Sequence, residues 1–179
     1  MIIRQFQSPF KYFTFGFKIY YSYFKNNCNF TPLKQFQMAQ FTLKEIATSE
    51  EMLLHIDVLQ ELYPHFTLPY YKQLLDDMLP HRYQQLAVYD KEYCVGICGF
   101  WLGTKLWCGK YLELDNIVVR ASHRSKGVGA IVVAYLTQKG IDEGCSMLAL
   151  DSYTDNFAAH KFFYLHGFVP RGFHFIKNL

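Results

Sequence analysis

The sequence predicts a mixed α/β (α+β) fold: one sheet with helices on both faces. Two observations carry this. From Gln85 to Val119 three strand-like segments follow one another as a meander. After them the period alternates, giving a helix over Gly127–Glu143, a short apolar run over Met147–Leu150 and a second helix over Asn156–His166. A meander followed by strand–helix–strand–helix–strand suits a sheet covered on both sides.

In chain order, Phe41–Ile46 alternates apolar and polar residues, as a short strand does. Ser49 is placed to cap a helix carrying Met52, Leu53, Ile56, Val58, Leu59 and Leu62, which Pro64 stops. A second helix is expected over Tyr70–Leu79, with Leu74, Leu75 and Met78 on one side and Pro80 as terminator. Gln85–Tyr89 and Cys94–Leu102 read as strands around an Asp90-Lys91 turn, and 103–110 as a loop or wide hairpin end. Tyr111–Val119 is the strongest strand. Strict alternation places Tyr111, Glu113, Asp115 and Ile117 on one face and Leu112, Leu114, Asn116 and Val118 on the other. Phe173–Ile176 is expected as a last strand.

Composition bounds the function. The 179 residues are 51% hydrophobic and 18% charged, enough apolar material for one cored domain with or without an appendage. No uninterrupted apolar run reaches the length of a membrane-spanning helix. Five cysteines, an odd number without a CxxC pair, argue against a disulfide framework or structural zinc and favour the cytoplasm. His160 and His166 are six apart on their helix, so no metal is expected. A net charge of +3 is too small for nucleic-acid binding over the whole surface.

The first segment differs from the rest. Residues 1–37 hold no Asp or Glu, five Lys/Arg and twelve Phe/Tyr, whereas residues 38–179 carry a net −2. Residues 1–37 read either as a basic aromatic arm on an acidic membrane or as an extension outside the natural functional unit, with Met38 opening the domain. The second reading is preferred, and membrane contact is not expected.

The segment that carries chemistry joins the carboxylate strand to the long helix. Arg124-x-x-Gly127-x-Gly129 puts a cation and two glycines at a helix N-terminus, where unpaired N–H groups and the positive end of the dipole suit a phosphate. Val132 stands where a dinucleotide fingerprint needs its third glycine, and no Gly-Lys-Ser/Thr follows, so neither that fold nor a P-loop is favoured. Downstream, Asn156-x-x-Ala159-x-x-Phe162-Phe163-x-x-x-Gly167-Phe168 forms a second signature.

Together these residues resemble the GNAT superfamily of acetyl-CoA-dependent N-acetyltransferases, over essentially all of residues 41–177. The resemblance implies a mixed, mostly antiparallel central sheet that splays in the middle. It implies acetyl-CoA as cosubstrate, its pyrophosphate on Arg124, Ser125, Lys126, Gly127, Val128, Gly129 and Ala130. Pantetheine would pair with Ile117, Val118 and Val119, with Asn156 and Phe163 beside it. Glu113 and Asp115 match positions where relatives carry a base, and both stay open. The activity implied is acetyl transfer to a primary amine of a small molecule or protein. A base is needed, because an alkylamine with a pKa near 10.4 is protonated at neutral pH.

One departure bears on the acid. Many relatives place a tyrosine where this chain has Phe163, and Tyr164 points about 100° away on the helix. That departure also supports the alternative of a silent acetyl-CoA-binding sensor or scaffold. Tyr111 and Tyr153 are substitutes for the missing hydroxyl, though packing is preferred for both. The acceptor pocket is expected from Glu51–Leu79, the 103–109 hairpin and Phe173–Phe175, with Tyr63, Phe66, Tyr70, Tyr71, Trp101 and Trp107 read first as core. A homodimer is left open.

Overall fold

Among the described residues five strands form a single sheet in the order of the chain: β1 (Phe41–Ile46), β2 (Tyr83–Asp90), β3 (Tyr93–Lys105), β4 (Gly109–Val119) and β5 (Met147–Leu150). The computed structural model describes residues 40–179, so the 1–37 segment and Met38 lie outside the described residues. The first three junctions are antiparallel and β4–β5 is parallel. A parallel neighbour needs a crossover, and α4 (Val128–Asp142) supplies it. The other α-helices among the described residues are α1 (Ser49–Leu53), α2 (Ile56–Leu59), α3 (Leu68–Met78) and α5 (Phe157–Leu165).

Alternation along the central strands feeds two cores. Leu86, Val88, Phe100, Leu112 and Leu114 pack on one face against Val128, Ile131, Val132 and Leu136 of α4. On the other face Ala87, Ile97 and Val118 meet Met52, Val58, Tyr71 and Leu75 from α1–α3. Each Val, Leu, Ile, Phe or Met side chain among them contributes about 1.5–3 kcal/mol on removal from water, so the helices are held chiefly by burial. No helix among the described residues is long and apolar enough to cross a membrane.

Several boundaries differ from the sequence expectation. The expected helix from Ser49 breaks into α1 and α2, and its cap is Thr48, whose Oγ1 accepts the Glu51 N–H at 3.4 Å. His55 stands in the break and is held by the Tyr89 hydroxyl at 2.8 Å, a tertiary tie that helical spacing does not reveal. α3 starts two residues early, at Leu68, because Thr67 caps it and Pro69 occupies its first turn. The loop expected over 103–110 shrinks to a turn at 106–108, as β3 runs to Lys105 and β4 begins at Gly109.

The expected strand over Phe173–Ile176 is absent. Among the described residues these pair with no strand although the outer edge of β5 is open, and Phe173, Phe175 and Ile176 are exposed. The polar tie of this tail is His174, whose Nδ1 lies 2.7 Å from Asp151 Oδ2.

Candidate active site

The sheet parts at one point. β4 and β5 are paired from Tyr111↔Met147 to Leu114↔Leu150, and β5 then ends while β4 continues through Asp115–Val119. On that edge the last five residues of β4 have no strand neighbour among the described residues. The splay predicted from the resemblance is therefore present, and it leaves backbone polar groups free to pair with an extended ligand.

A bulge sits at the same point. Gly99 pairs with Asp115 but Ile97 with Val118, so β4 holds one more residue than β3 between them. Asn116 takes the left-handed conformation at φ +52°, which Asn tolerates better than most residues. The extra residue reverses the alternation. Beyond it Ile117 and Val119 enter the α4-side core and Val118 the opposite one, correcting the expectation that Ile117 shares a face with Glu113 and Asp115. Asn116 is corrected too: its Oδ1 accepts from the Tyr63 hydroxyl, on the α1–α3 side.

The two carboxylates occupy different surroundings. Lys105 Nζ lies 3.9 Å from Glu113 Oε2 and 4.5 Å from the centre of the Tyr111 ring. Asp115 is partly buried and meets no cation among the described residues; its Oδ2 accepts from Trp101 Nε1 at 3.3 Å. Burial raises its pKa above the ordinary carboxylate value, and the nearby charge of Glu113 adds to the shift, while the Trp101 bond opposes it. Of the pair, Asp115 has the environment of a proton acceptor.

Across β4 lies the loop that starts α4. Gly127 caps the helix at φ +87°, a conformation costing other residues roughly 1–2 kcal/mol, and Ser125 precedes it at φ +59°. Gly127 offers no side chain to cap the helix, and among the described residues the amides of Ser125 through Ala130 find no backbone acceptor. Gly129 serves contact: a Cβ there would stand 3.0 Å from Phe162 Cζ, so its absence lets α5 rest on the first turn of α4. Val128 points into the core. Arg124 reaches back, its Nε donating to Val119 O and its Nη2 to Glu61 Oε2, each at 3.2 Å. Glu61 also accepts the Ala121 N–H at 3.2 Å, fixing both ends of the loop to the residues after α2.

Asn156 caps α5, its Oδ1 accepting the Ala159 N–H at 3.2 Å. Phe163 packs on Phe162 and Phe168, with ring centres 5.5 and 5.8 Å apart. Tyr111 is buried beneath Lys105 and Tyr153 is exposed.

On the α1–α3 face a cavity of about 280 Å³ opens beside the bulge, lined by Leu59, Tyr63, Phe66, Tyr71, Leu74, Met78, Tyr83 and Asn116. Its floor is polar, and the buried Gln85 Oε1 has no partner there among the described residues. Buried Gln85 donates from Nε2 to the Tyr71 hydroxyl at 2.7 Å and the Tyr83 hydroxyl at 3.0 Å. Burial pushes Tyr71 up to about 12 and Tyr83 higher still, so both remain phenols. Trp101 packs on Tyr83 with ring centres 4.9 Å apart, which brings the wall to Asp115. Tyr63, Tyr71 and Trp101 are expected first as core, yet they line or adjoin the cavity. Glu61 and Lys105 fall in the segments expected to form the acceptor pocket, Glu51–Leu79 and the 103–109 hairpin, whereas Asn116 falls in neither. The one available signal was an asparagine inside an otherwise strong strand.

Residues 50–168 match the acetyltransferase (GNAT) family. Two Bacillus subtilis (strain 168) proteins described as uncharacterized N-acetyltransferases are similar to the chain. YhdJ is 24% identical over 68% of this chain and 86% of its own length, and YjcF 36% identical over 51% and 60%. Among solved structures, aminoglycoside N-acetyltransferase AAC(6')-Iy in complex with CoA superposes with a TM-score of 0.65 at 18% identity, over 78% of this chain and 95% of that one. The aminoglycoside acetyltransferase meta-AAC0020, from an uncultured soil metagenomic sample, gives 0.68 at 12% identity, over 79% and 97%. The chain belongs to the acetyltransferase (GNAT) family. It is an acyltransferase that uses acetyl-CoA to acetylate an amine.

Proposed function

We propose that residues 38–179 form the acetyltransferase domain, with 1–37 an extension outside it, and that Asp115 is its general base. The observation carrying this reading is the placement of an uncompensated carboxylate at the point where β4 loses its partner, with the unfilled α4 amides across the same strand. The amides of Ser125–Ala130 bind the diphosphate of acetyl-CoA, and the free edge over Ile117–Val119 pairs with its pantetheine. That edge fits an extended amide-bearing chain because its own backbone groups need partners. Arg124 and Lys126 add positive charge, Asn156 and Phe163 bound the cleft on the α5 side, and Gly127 and Gly129 let the ligand and α5 approach.

The acceptor reaches the cleft as an ammonium. Asp115 takes one proton, and the amine nitrogen bonds to the acetyl carbon. The carbon–sulfur bond breaks as CoA leaves as a thiolate, which takes the second nitrogen proton to become the thiol. A thiol with a pKa near 8.5 departs without a dedicated acid, which suits Phe163 in place of a tyrosine. Glu113, beside Lys105, contributes to the charge of the cleft and not to proton transfer. The acceptor is a small molecule, as the cavity beside the β4 bulge supports. Cys94, Cys98, Cys108 and Cys145 are free thiols, which supports the cytoplasm as the place of action.

Calorimetry with acetyl-CoA, together with CoA release from an amine panel by wild type and Asp115→Asn, tests the reading. Heat on acetyl-CoA addition and loss of turnover in the variant are expected. Absence of heat, or full activity in Asp115→Asn, overturns it.

A further inference from the structure

Adjacent strands bring one row of residues to the proposed base. Gln85 of β2 pairs with Gly99 of β3, and Gly99 pairs with Asp115 of β4. Two positions along, Tyr83 pairs with Trp101, which pairs with Glu113. We propose that Tyr83 and Gln85 are positioning residues for Asp115 that act through Trp101. Gln85 fixes the Tyr83 ring, and the ring holds the indole whose N–H binds the carboxylate. The inference rests on the reading of Asp115 as base.

An indole at position 101 has two carboxylates within reach on β4, Glu113 directly opposite and Asp115 on the diagonal. It goes to Asp115, Nε1 donating to Oδ2 at 3.3 Å. The indole packs on the Tyr83 ring, with centres 4.9 Å apart. That ring is placed by a missing side chain. A Cβ on Gly99 would overlap the Tyr83 hydroxyl and stand 2.7 Å from Cε2, so the ring lies over Gly99 because the glycine leaves the room. Tyr83 thus lies along the row that ends at Asp115, and Trp101 rests against it.

The far end of the ring is held by Gln85. Its Nε2 donates to the Tyr83 hydroxyl at 3.0 Å and to the Tyr71 hydroxyl at 2.7 Å. Apart from tyrosines and cysteines, Gln85 is the one polar or charged residue buried among those described, and its Oε1 has no partner there. A buried amide with an unpaired oxygen costs stability, so what it contributes is geometry: one group fixes two phenols at once. Without the Tyr83 hydroxyl the room over Gly99 opens, ring and indole relax into it, and the bond to the ionised carboxylate weakens. A weaker bond to the charged form lets the carboxyl keep its proton to higher pH.

The test reads the titration of Asp115 in the full chain from its carboxyl carbon NMR signal, identified by its loss in Asp115→Asn. Trp101→Phe should raise the midpoint. Tyr83→Phe should raise it by about 0.5–1 pH unit, as a weakened hydrogen bond to a charged group gives. In the Trp101→Phe background Tyr83→Phe should add nothing. Tyr71→Phe loses a bond to the same amide, but its ring packs on Phe66, and it should leave the midpoint in place. Should Tyr83→Phe not fold, Gln85→Leu takes the donor away and leaves the phenol, and the same rise is expected. An unmoved midpoint in folded Trp101→Phe or Tyr83→Phe overturns the inference. So does an equal rise in Tyr71→Phe, or an undiminished rise from Tyr83→Phe in the Trp101→Phe background. Each of these leaves Asp115 as base. Full activity of Asp115→Asn overturns the base assignment, and the inference with it.

Discussion

The hydroxyl of Tyr63 donates to Oδ1 of Asn116, joining the residues after α2 to the bulge of β4 across 53 positions of sequence. Tyr63 also stacks on Phe66, with ring centres 4.7 Å apart. The bond holds the cavity wall against the strand that carries Asp115. Tyr63→Phe should cost about 0.5–1.5 kcal/mol of stability, read as a lower denaturation midpoint at unchanged slope. It should also raise KM for the amine several-fold while leaving the KM for acetyl-CoA in place.

Asp115→Asn is expected to lower kcat by about 10²–10⁴, the usual range for loss of a general base, with acetyl-CoA affinity retained. Glu113→Gln should stay within about tenfold of wild type. The same substitution at Asp115 bears on stability. The carboxyl holds its proton to a higher pH in the folded state than in the unfolded one, so the folded state binds more protons between those two values. Its stabilising contribution is complete below the ordinary carboxylate pKa and is lost as pH rises through the raised one. Asp115→Asn should therefore equal or exceed wild type in Tm at pH 7, and the gain should vanish in acid.

Trp101→Phe removes the N–H that favours the ionised form of Asp115. The acidic limb of the kcat/KM profile is expected to move to higher pH. A limb that stays in place would show that another group titrates there.

At the loop, Gly127→Ala forces a Cβ into φ +87° and should cost roughly 1–2 kcal/mol while raising the KM for acetyl-CoA. Glu61→Ala releases Arg124 and the Ala121 amide together. It should raise the same KM and leave kcat nearly unchanged, because Glu61 does not reach the amine. Steady-state kinetics over a range of acetyl-CoA separates the two effects.

The strands and the α4 loop were legible in the sequence because each is written locally: alternation in β2–β4, and two glycines opening a periodic helix. What escaped was set by tertiary partners. His55, in the break between α1 and α2, bonds Tyr89, and among the described residues Phe173–Ile176 joins no strand although the outer edge of β5 is open. The reversal at Ile117 follows from one residue, Asn116, whose left-handed backbone no alternation rule anticipates. The proposal of Asp115 over Glu113 rests on Lys105, eight positions before Glu113 and brought to it across the β3–β4 turn.

The parting of β4 from β5 has a kinetic consequence. On the proposed reading donor and amine reach the gap through separate doors, one beside α4 and one beside α3, and neither blocks the other. Loading can then proceed in either order, and both reactants are resident at once before anything departs. Double-reciprocal plots at several fixed amine concentrations should intersect, where a shuttle through an acylated side chain would draw parallel lines.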